Sequence, residues 1–237
     1  MRARLVVFVM TVGLSIVVDA QQSPPSAQRD SVSNGVPALT LLFAHDAGCP
    51  SGATGSQAFE AAYAANTTEL ADDVTVPAAD NWSVSRVFVR GRYATNSGPA
   101  PAVNVRFYED ATGKPDNTPI GVCDYSGITS FTDSAGVLTI DLPSACVLAG
   151  GAQGTRYWLS VQARMDYVPT GTWGWRDQAP SGSPAYWRNP GDGYATGCTA
   201  WTQRTTCVPY DLGNPDTCFA LRGASTEIVY RDGFEGN

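Results

Sequence analysis

The stretch Val103-Asn-Val-Arg-Phe-Tyr108 decides the fold, because Val103, Val105 and Phe107 fall on one side of an extended chain and Asn104, Arg106 and Tyr108 on the other. Strict period-two alternation marks a strand with one dry and one wet face, as in antiparallel sheets. The pattern recurs in both directions. Asp73–Pro77 is a short alternating run, and Trp82–Tyr93 sets Val87, Val89 and Tyr93 against Arg86, Phe88, Arg90 and Arg92. Ile120–Tyr125 follows, and in Val137–Leu142 the residues Leu138, Ile140 and Leu142 alternate with Val137, Thr139 and Asp141. Tyr157–Met165 turns Tyr157, Leu159, Val161, Ala163 and Met165 inward, and Phe219 and Leu221 close the series. Turn sequences such as Gly98-Pro-Ala-Pro101 and Thr112-Gly-Lys-Pro-Asp-Asn117 separate these runs. Many short strands with turn signals between them predict an all-β chain, a two-sheet antiparallel β-sandwich of jelly-roll type. A parallel α/β fold would need long helical crossovers, and the one helical pattern, Gln57–Ala65, is short.

The N-terminus reads as an export signal. Arg2 and Arg4 precede the apolar run Leu5–Val18, and Val18-Asp-Ala20 offers small residues for cleavage before Gln21. That run is shorter than the roughly 20 residues a bilayer span needs, so no transmembrane anchor is expected after cleavage. Residues 21–55, rich in Ser, Pro, Ala and Gly, read as a flexible arm with one short strand at Leu39–Phe43. The sandwich is expected over 56–224 and a tail over 225–237. Six cysteines suit an oxidising compartment. Cys123 and Cys146 sit beside strands and are placed to staple neighbours, Cys198 and Cys207 bracket a short loop, and Cys49 is left with Cys218; spacing alone does not exclude other pairings. A formal charge of −7 with scattered Lys and Arg gives no footprint for nucleic acid.

The catalytic patterns are weak. A Ser-His-Asp triad needs an imidazole to move the proton, and the single histidine, His45, stands in the arm, where it reads as solvated. Paired carboxylates for glycoside hydrolysis could come from Asp72, Asp73, Glu109, Asp110, Asp166 or Asp177, each at a turn or strand end. Turn acids such as Asp72, Asp73 and Asp110 could also hold a structural calcium, although no calcium-binding repeat is present; no cofactor is expected otherwise. The most unusual region is 166–201, where Tyr167, Trp173, Trp175, Trp187 and Trp201 lie among Gly, Pro, Ser and Asn. Flat aromatic faces on loops hold sugar rings or peptide side chains. The same residues can instead close a loop-rich end of the sandwich, their indole N–H groups satisfying loop carbonyls.

The ordered series Ser56-Gln-Ala-Phe-Glu-Ala-Ala-Tyr63, Ala71-Asp-Asp-Val-Thr-Val-Pro77, Asn104-Val-Arg-Phe-Tyr108, Tyr157-Trp-Leu-Ser-Val-Gln-Ala163, Trp173-Gly-Trp175, Trp187-Arg-Asn-Pro190 and Pro215-Asp216 with Phe219-Ala-Leu-Arg-Gly223 resembles a β-sandwich accessory module of secreted bacterial proteins. The ending Asp232-Gly-Phe-Glu235 is similar to a short tail on exported proteins of Gram-negative bacteria. The resemblance implies export and a non-enzymatic role in the envelope or extracellular space, and it transfers no site residues. The sequence therefore points to a secreted binding module with a glycan or a cell-surface protein as partner. A spacer domain without a ligand is the second expectation, and a polysaccharide hydrolase the third.

Overall fold

A computed structural model describes residues 38–94 and 97–227; the expected signal peptide, the arm before residue 38 and the tail from residue 228 lie outside the described residues. In chain order the strands are β1 (Thr40–His45), β2 (Ala53–Gly55), β3 (Gln57–Ala58), β4 (Glu69–Val76), β5 (Asp80–Tyr93), β6 (Ala102–Glu109), β7 (Asp124–Ile128) and β8 (Phe131–Ser134). They continue with β9 (Val137–Ala149), β10 (Thr155–Arg164), β11 (Trp173–Gln178), β12 (Tyr186–Arg188), β13 (Thr202–Gln203), β14 (Asp216–Thr217) and β15 (Phe219–Glu227). Two sheets pack face to face as an all-β sandwich. The first runs β1-β15-β5-β11-β14, with β9 on the free side of β5, β8 beside β9, and β2 against β11. The second runs β13-β12-β4-β10-β6-β7, and β3 joins it as a parallel neighbour of β10.

The alternation that defines the strands also builds the core. Val87 and Val89 of β5, Leu138 and Ile140 of β9, and Phe219 and Leu221 of β15 face Val103, Val105 and Phe107 of β6 and Leu159 and Val161 of β10, all fully buried. Three disulfides staple the sandwich: Cys123–Cys146, Cys198–Cys207 and Cys49–Cys218.

Local departures from the alternation pattern have identifiable causes. Residues 40–55 are not an arm outside the sandwich, because β1 extends the first sheet along β15 and β2 adds to β11. The short strand expected at Leu39–Phe43 is present as β1, whereas β2 is masked by its Ser/Gly-rich surroundings because its partner β11 lies far along the chain. The helical pattern over 57–65 resolves into β3 and a 3₁₀ segment at Ala61–Asn66. A 3₁₀ turn at Gly121–Cys123 delays the strand expected from Ile120, so that β7 starts at Asp124.

The largest departure concerns the second sheet, whose outer face is dry. Asn104, Tyr108, Trp158, Ser160 and Gln162 are buried although they point away from the core. Their cover is the chain between β11 and β14, which brings Trp201 edge-on to Tyr108 at 5.5 Å and Tyr186 edge-on to Trp158 at 5.2 Å. Ala71, Tyr108, Trp158 and Trp201 form a second, smaller apolar cluster there. No helix of the described residues is long and apolar enough to cross a membrane.

Candidate functional site

The indoles of the aromatic region point inward. Trp173, Trp175, Trp187 and Trp201 are each no more than 5% exposed. Every one of these indole N–H groups donates to a backbone carbonyl: Trp173 to Gly136 (3.0 Å), Trp175 to Cys218 (2.9 Å), Trp187 to Gly55 (3.0 Å) and Trp201 to Asp116 (3.1 Å). Trp173 and Trp175 project to one side across Gly174, and that side is the core. The Trp173 ring lies where a Cβ on Gly91 would stand, 2.3 Å from that position, so the close approach requires glycine at 91. Tyr167 is exposed and leans on Tyr63 and Phe59, with ring centroids at 5.1 and 6.3 Å. The five aromatics singled out from sequence therefore do not meet at one surface.

What the structure exposes instead is a cleft of about 570 Å³ between the ends of β2 and β11 and the loops that follow β12 and Cys207. Gly55, Gly174 and the edges of Trp173 and Trp187 line it, and Tyr194 and Tyr210 enter it from two separate loops, each about half exposed. Among the described residues that line it, Arg92 contributes the one cationic side chain and none is a carboxylate. Tyr194 belongs to the aromatic window that the sequence marked. Tyr210 lies beyond it, after Cys207, and its only signal was a lone aromatic beside Pro209.

Both tyrosine loops are held by buried polar groups. Asn189 is fully buried; its side-chain amide donates to the carbonyls of Ala65 and Thr67 (2.7 and 2.8 Å), and its Oδ1 accepts from the Tyr194 N–H at 3.1 Å. Arg204, also fully buried, donates to the carbonyls of Tyr210, Asp211, Asn214 and Pro215. Its guanidinium lies 3.8 Å from Asp177, which accepts from the hydroxyl of the cleft residue Thr54 at 2.8 Å. Burial pushes the Asp177 carboxyl up to about 6 despite the pull of Arg204.

The acids considered for catalysis or calcium are spread over different environments. Asp72 points into the interior, where it accepts from the Thr217 N–H and hydroxyl (2.6 and 2.9 Å). Burial and the neighbouring Asp216 raise its pKa well above the usual carboxylate value. Asp73 lies on the outer face, paired with Arg156 at 3.2 Å, and Asp110 accepts from the Trp158 indole at 2.9 Å. Glu109 and Asp166 are exposed. Among the described residues no group of three or more His, Cys, Asp and Glu is arranged to hold a metal ion. His45 is a half-buried residue of β1 and not a solvated arm residue, and burial lowers its pKa below 6.5.

The most extensive charged network surrounds Glu69 at the start of β4. It accepts from the Tyr108 and Ser160 hydroxyls (2.7 and 2.9 Å) and pairs with Arg188 at 2.6 Å and Arg106 at 3.3 Å. Burial would raise its pKa, but the two guanidinium groups and the Tyr108 hydroxyl outweigh burial and hold it below the ordinary glutamate value. Arg188 in turn stacks over the Trp201 ring at 4.2 Å, which ties the covering loop to the sheet. No protein-family model, curated protein or solved structure matches the chain.

Proposed function

We propose that the protein is a secreted, non-catalytic binding module of the envelope or extracellular space, and that the Tyr194/Tyr210 cleft holds one ring-sized unit of a glycan. The observation that carries the reading is the cleft itself. It is concave, lined by glycines and by Trp173 and Trp187, and flanked by two half-exposed phenol rings on loops whose backbone is hydrogen-bonded to the buried Asn189 and Arg204. Rigid tyrosines supply flat apolar area and a polar tip at little entropic cost, which is what stacking on a sugar ring requires. Three disulfides support folding in an oxidising compartment. Of the buried indoles, Trp173 and Trp187 line this site.

The test is a glycan and peptide array probed with the protein and with the Tyr194→Ala/Tyr210→Ala variant. The expected result is selective retention of a set of glycans that the variant loses by roughly tenfold or more, as for removal of two stacking contacts of about 1 kcal/mol each, with an unchanged thermal midpoint. Retention of peptides alone removes the glycan reading. Binding that survives the double substitution moves the site elsewhere, and absence of any ligand supports a spacer domain.

A further inference from the structure

Nine of the ten arginines among the described residues fall into two groups; the tenth, Arg164 at the end of β10, is exposed and has no carboxylate within 4 Å among the described residues. Arg106, Arg156 and Arg188 lie on the second sheet and each pairs with carboxylates, while Arg204 is buried beside Asp177. Five others share the outer face of the first sheet. Arg86, Arg90 and Arg92 alternate along β5 with the inward-facing Val87 and Val89, with Phe88 completing the outward row. Arg222 of β15 stands directly across from Arg86 in the ladder. Arg176 of β11 follows the inward Trp175 and lies near Arg90, where the Cys218 backbone bonds to both strands.

Alternate residues on a strand are about 6.6–6.8 Å apart and neighbouring strands about 4.8 Å apart. Five guanidinium groups therefore occupy a patch roughly 20 Å long by two or three strands wide. Only two of them have a carboxylate within 4 Å among the described residues: Arg86 with Asp141 at 2.6 Å and Arg90 with Asp46 at 3.7 Å. Arg92 and Arg222 are exposed, and Arg176 is half-buried with a buried Nε that has no hydrogen-bond acceptor. Arg86 and Arg222 stand directly opposite each other in the ladder, an arrangement of like charges that is destabilising unless offset, and Asp141 offsets it at Arg86 alone. A chain of formal charge −7 has no general surplus of cations from which such a face would arise by chance.

We propose that this face binds an acidic polysaccharide, whose carboxylate or sulfate groups are taken by Arg92, Arg176 and Arg222, with Arg86 and Arg90 flanking them. The charge complementarity is specific in kind, because a guanidinium presents a planar fork that matches such oxyanions in two parallel hydrogen bonds. An extended sheet face with cations at regular spacing suits a polymer with regularly repeated, moderately dense charge. Arg92 also lines the cleft, so the face and the cleft adjoin. The inference does not depend on the cleft reading, since Arg86, Arg90, Arg176 and Arg222 are not among the cleft's lining residues.

The experiment measures binding of the protein to polygalacturonate, dextran sulfate and neutral dextran at low and high salt. Parallel arms use phosphatidylglycerol/phosphatidylcholine vesicles and a single-stranded oligonucleotide. Binding to one or both acidic polysaccharides is expected, weakening with salt as exposed ion pairs are screened, with neutral dextran not retained. Arg222→Glu, which places a partner opposite Arg86, should weaken polyanion binding several-fold while keeping or raising the thermal midpoint. Adding Arg92→Glu should bring the loss to roughly tenfold or more. Tyr194→Ala/Tyr210→Ala keeps polyanion binding, and Arg222→Glu alone, which lies outside the cleft, keeps glycan binding, so failure of the face and failure of the cleft are told apart. The proposal is overturned if the Arg222→Glu/Arg92→Glu variant, still folded, binds the polyanions as the parent does, or if neutral dextran binds equally well. It is also overturned if only vesicles or only the oligonucleotide are bound.

Discussion

Arg204 is the residue on which the cleft wall depends most. It is charged, 0% exposed, and spends its donors on four carbonyls of the single loop that carries Tyr210. No shorter or neutral side chain reaches that many acceptors, and a lysine, with one ammonium group, cannot span them. Arg204→Ala strands those carbonyls and leaves Asp177 beside an empty space. Removing one partner of a buried pair typically costs about 3–5 kcal/mol, and that is the loss expected from urea unfolding of the variant. Arg204→Lys should recover less than half of it. A loss below about 1 kcal/mol would mean that water replaces the guanidinium and that the loop is held by other contacts.

At the scale of elements, the segment between β11 and β14 does most to set this sandwich apart from a plain one. It adds two short strands to the second sheet, buries that sheet's outer face and supplies both cleft tyrosines. Its own closure is Cys198–Cys207, spanning a sequence separation of 9. In the chain-entropy model a loop that short is worth about 2–3 kcal/mol. Cys198→Ser/Cys207→Ser should lower stability by that amount and admit proteases between 189 and 210, while fragments containing β5, β9 and β15 stay protected. The long alternating strands were legible in the sequence because their partners impose one dry face, as in Val103–Phe107. The cysteine pairs could be guessed from the strands they flank. The dry outer face of β4, β6 and β10 was not legible: Glu69, Asn104, Tyr108 and Gln162 are polar residues in outward positions, and only the covering loop turns them into buried ones. The Trp cluster was visible as composition, but its burial depends on carbonyls at Gly55, Gly136 and Asp116, far from it in sequence. Arg86, Arg90 and Arg92 could be read as one row, whereas their juxtaposition with Arg176 and Arg222 depends on strand order.

Across the whole molecule, the buried carboxyls set a pH dependence that runs against the usual acid lability of proteins. Asp177 is pushed up to about 6 by burial, and Asp216 to about 7 by burial and by Asp73 nearby, against the hydrogen bond from the Ser181 N–H. Asp72 moves in the same direction through burial and Asp216. In the unfolded chain all three titrate near 3.9. A group whose folded pKa is raised contributes stability that is full below the unfolded value and is lost as pH climbs through the folded one. These acids therefore favour the fold at pH 4 and withdraw their support between about pH 4 and 7. Glu69 acts in the opposite sense, because its folded pKa is lowered and its contribution fades as pH falls below the glutamate range. His45, also lowered, adds a loss on the acid side of 6.5. The two trends place maximum stability near pH 5, with a decline toward pH 8 of about 2–3 kcal/mol after allowing for relaxation around the buried groups. For a chain of this size that corresponds to roughly 5–10 °C in thermal midpoint. Scanning calorimetry from pH 4 to 8 checks it, and Asp177→Asn, which keeps the shape but cannot ionise, should flatten the decline between about pH 4 and 6 and leave the part toward pH 7 to Asp216. A midpoint that rises steadily to pH 8 would show that Arg204 and the local hydrogen bonds hold these carboxylates charged, leaving Glu69 and His45 to govern the profile.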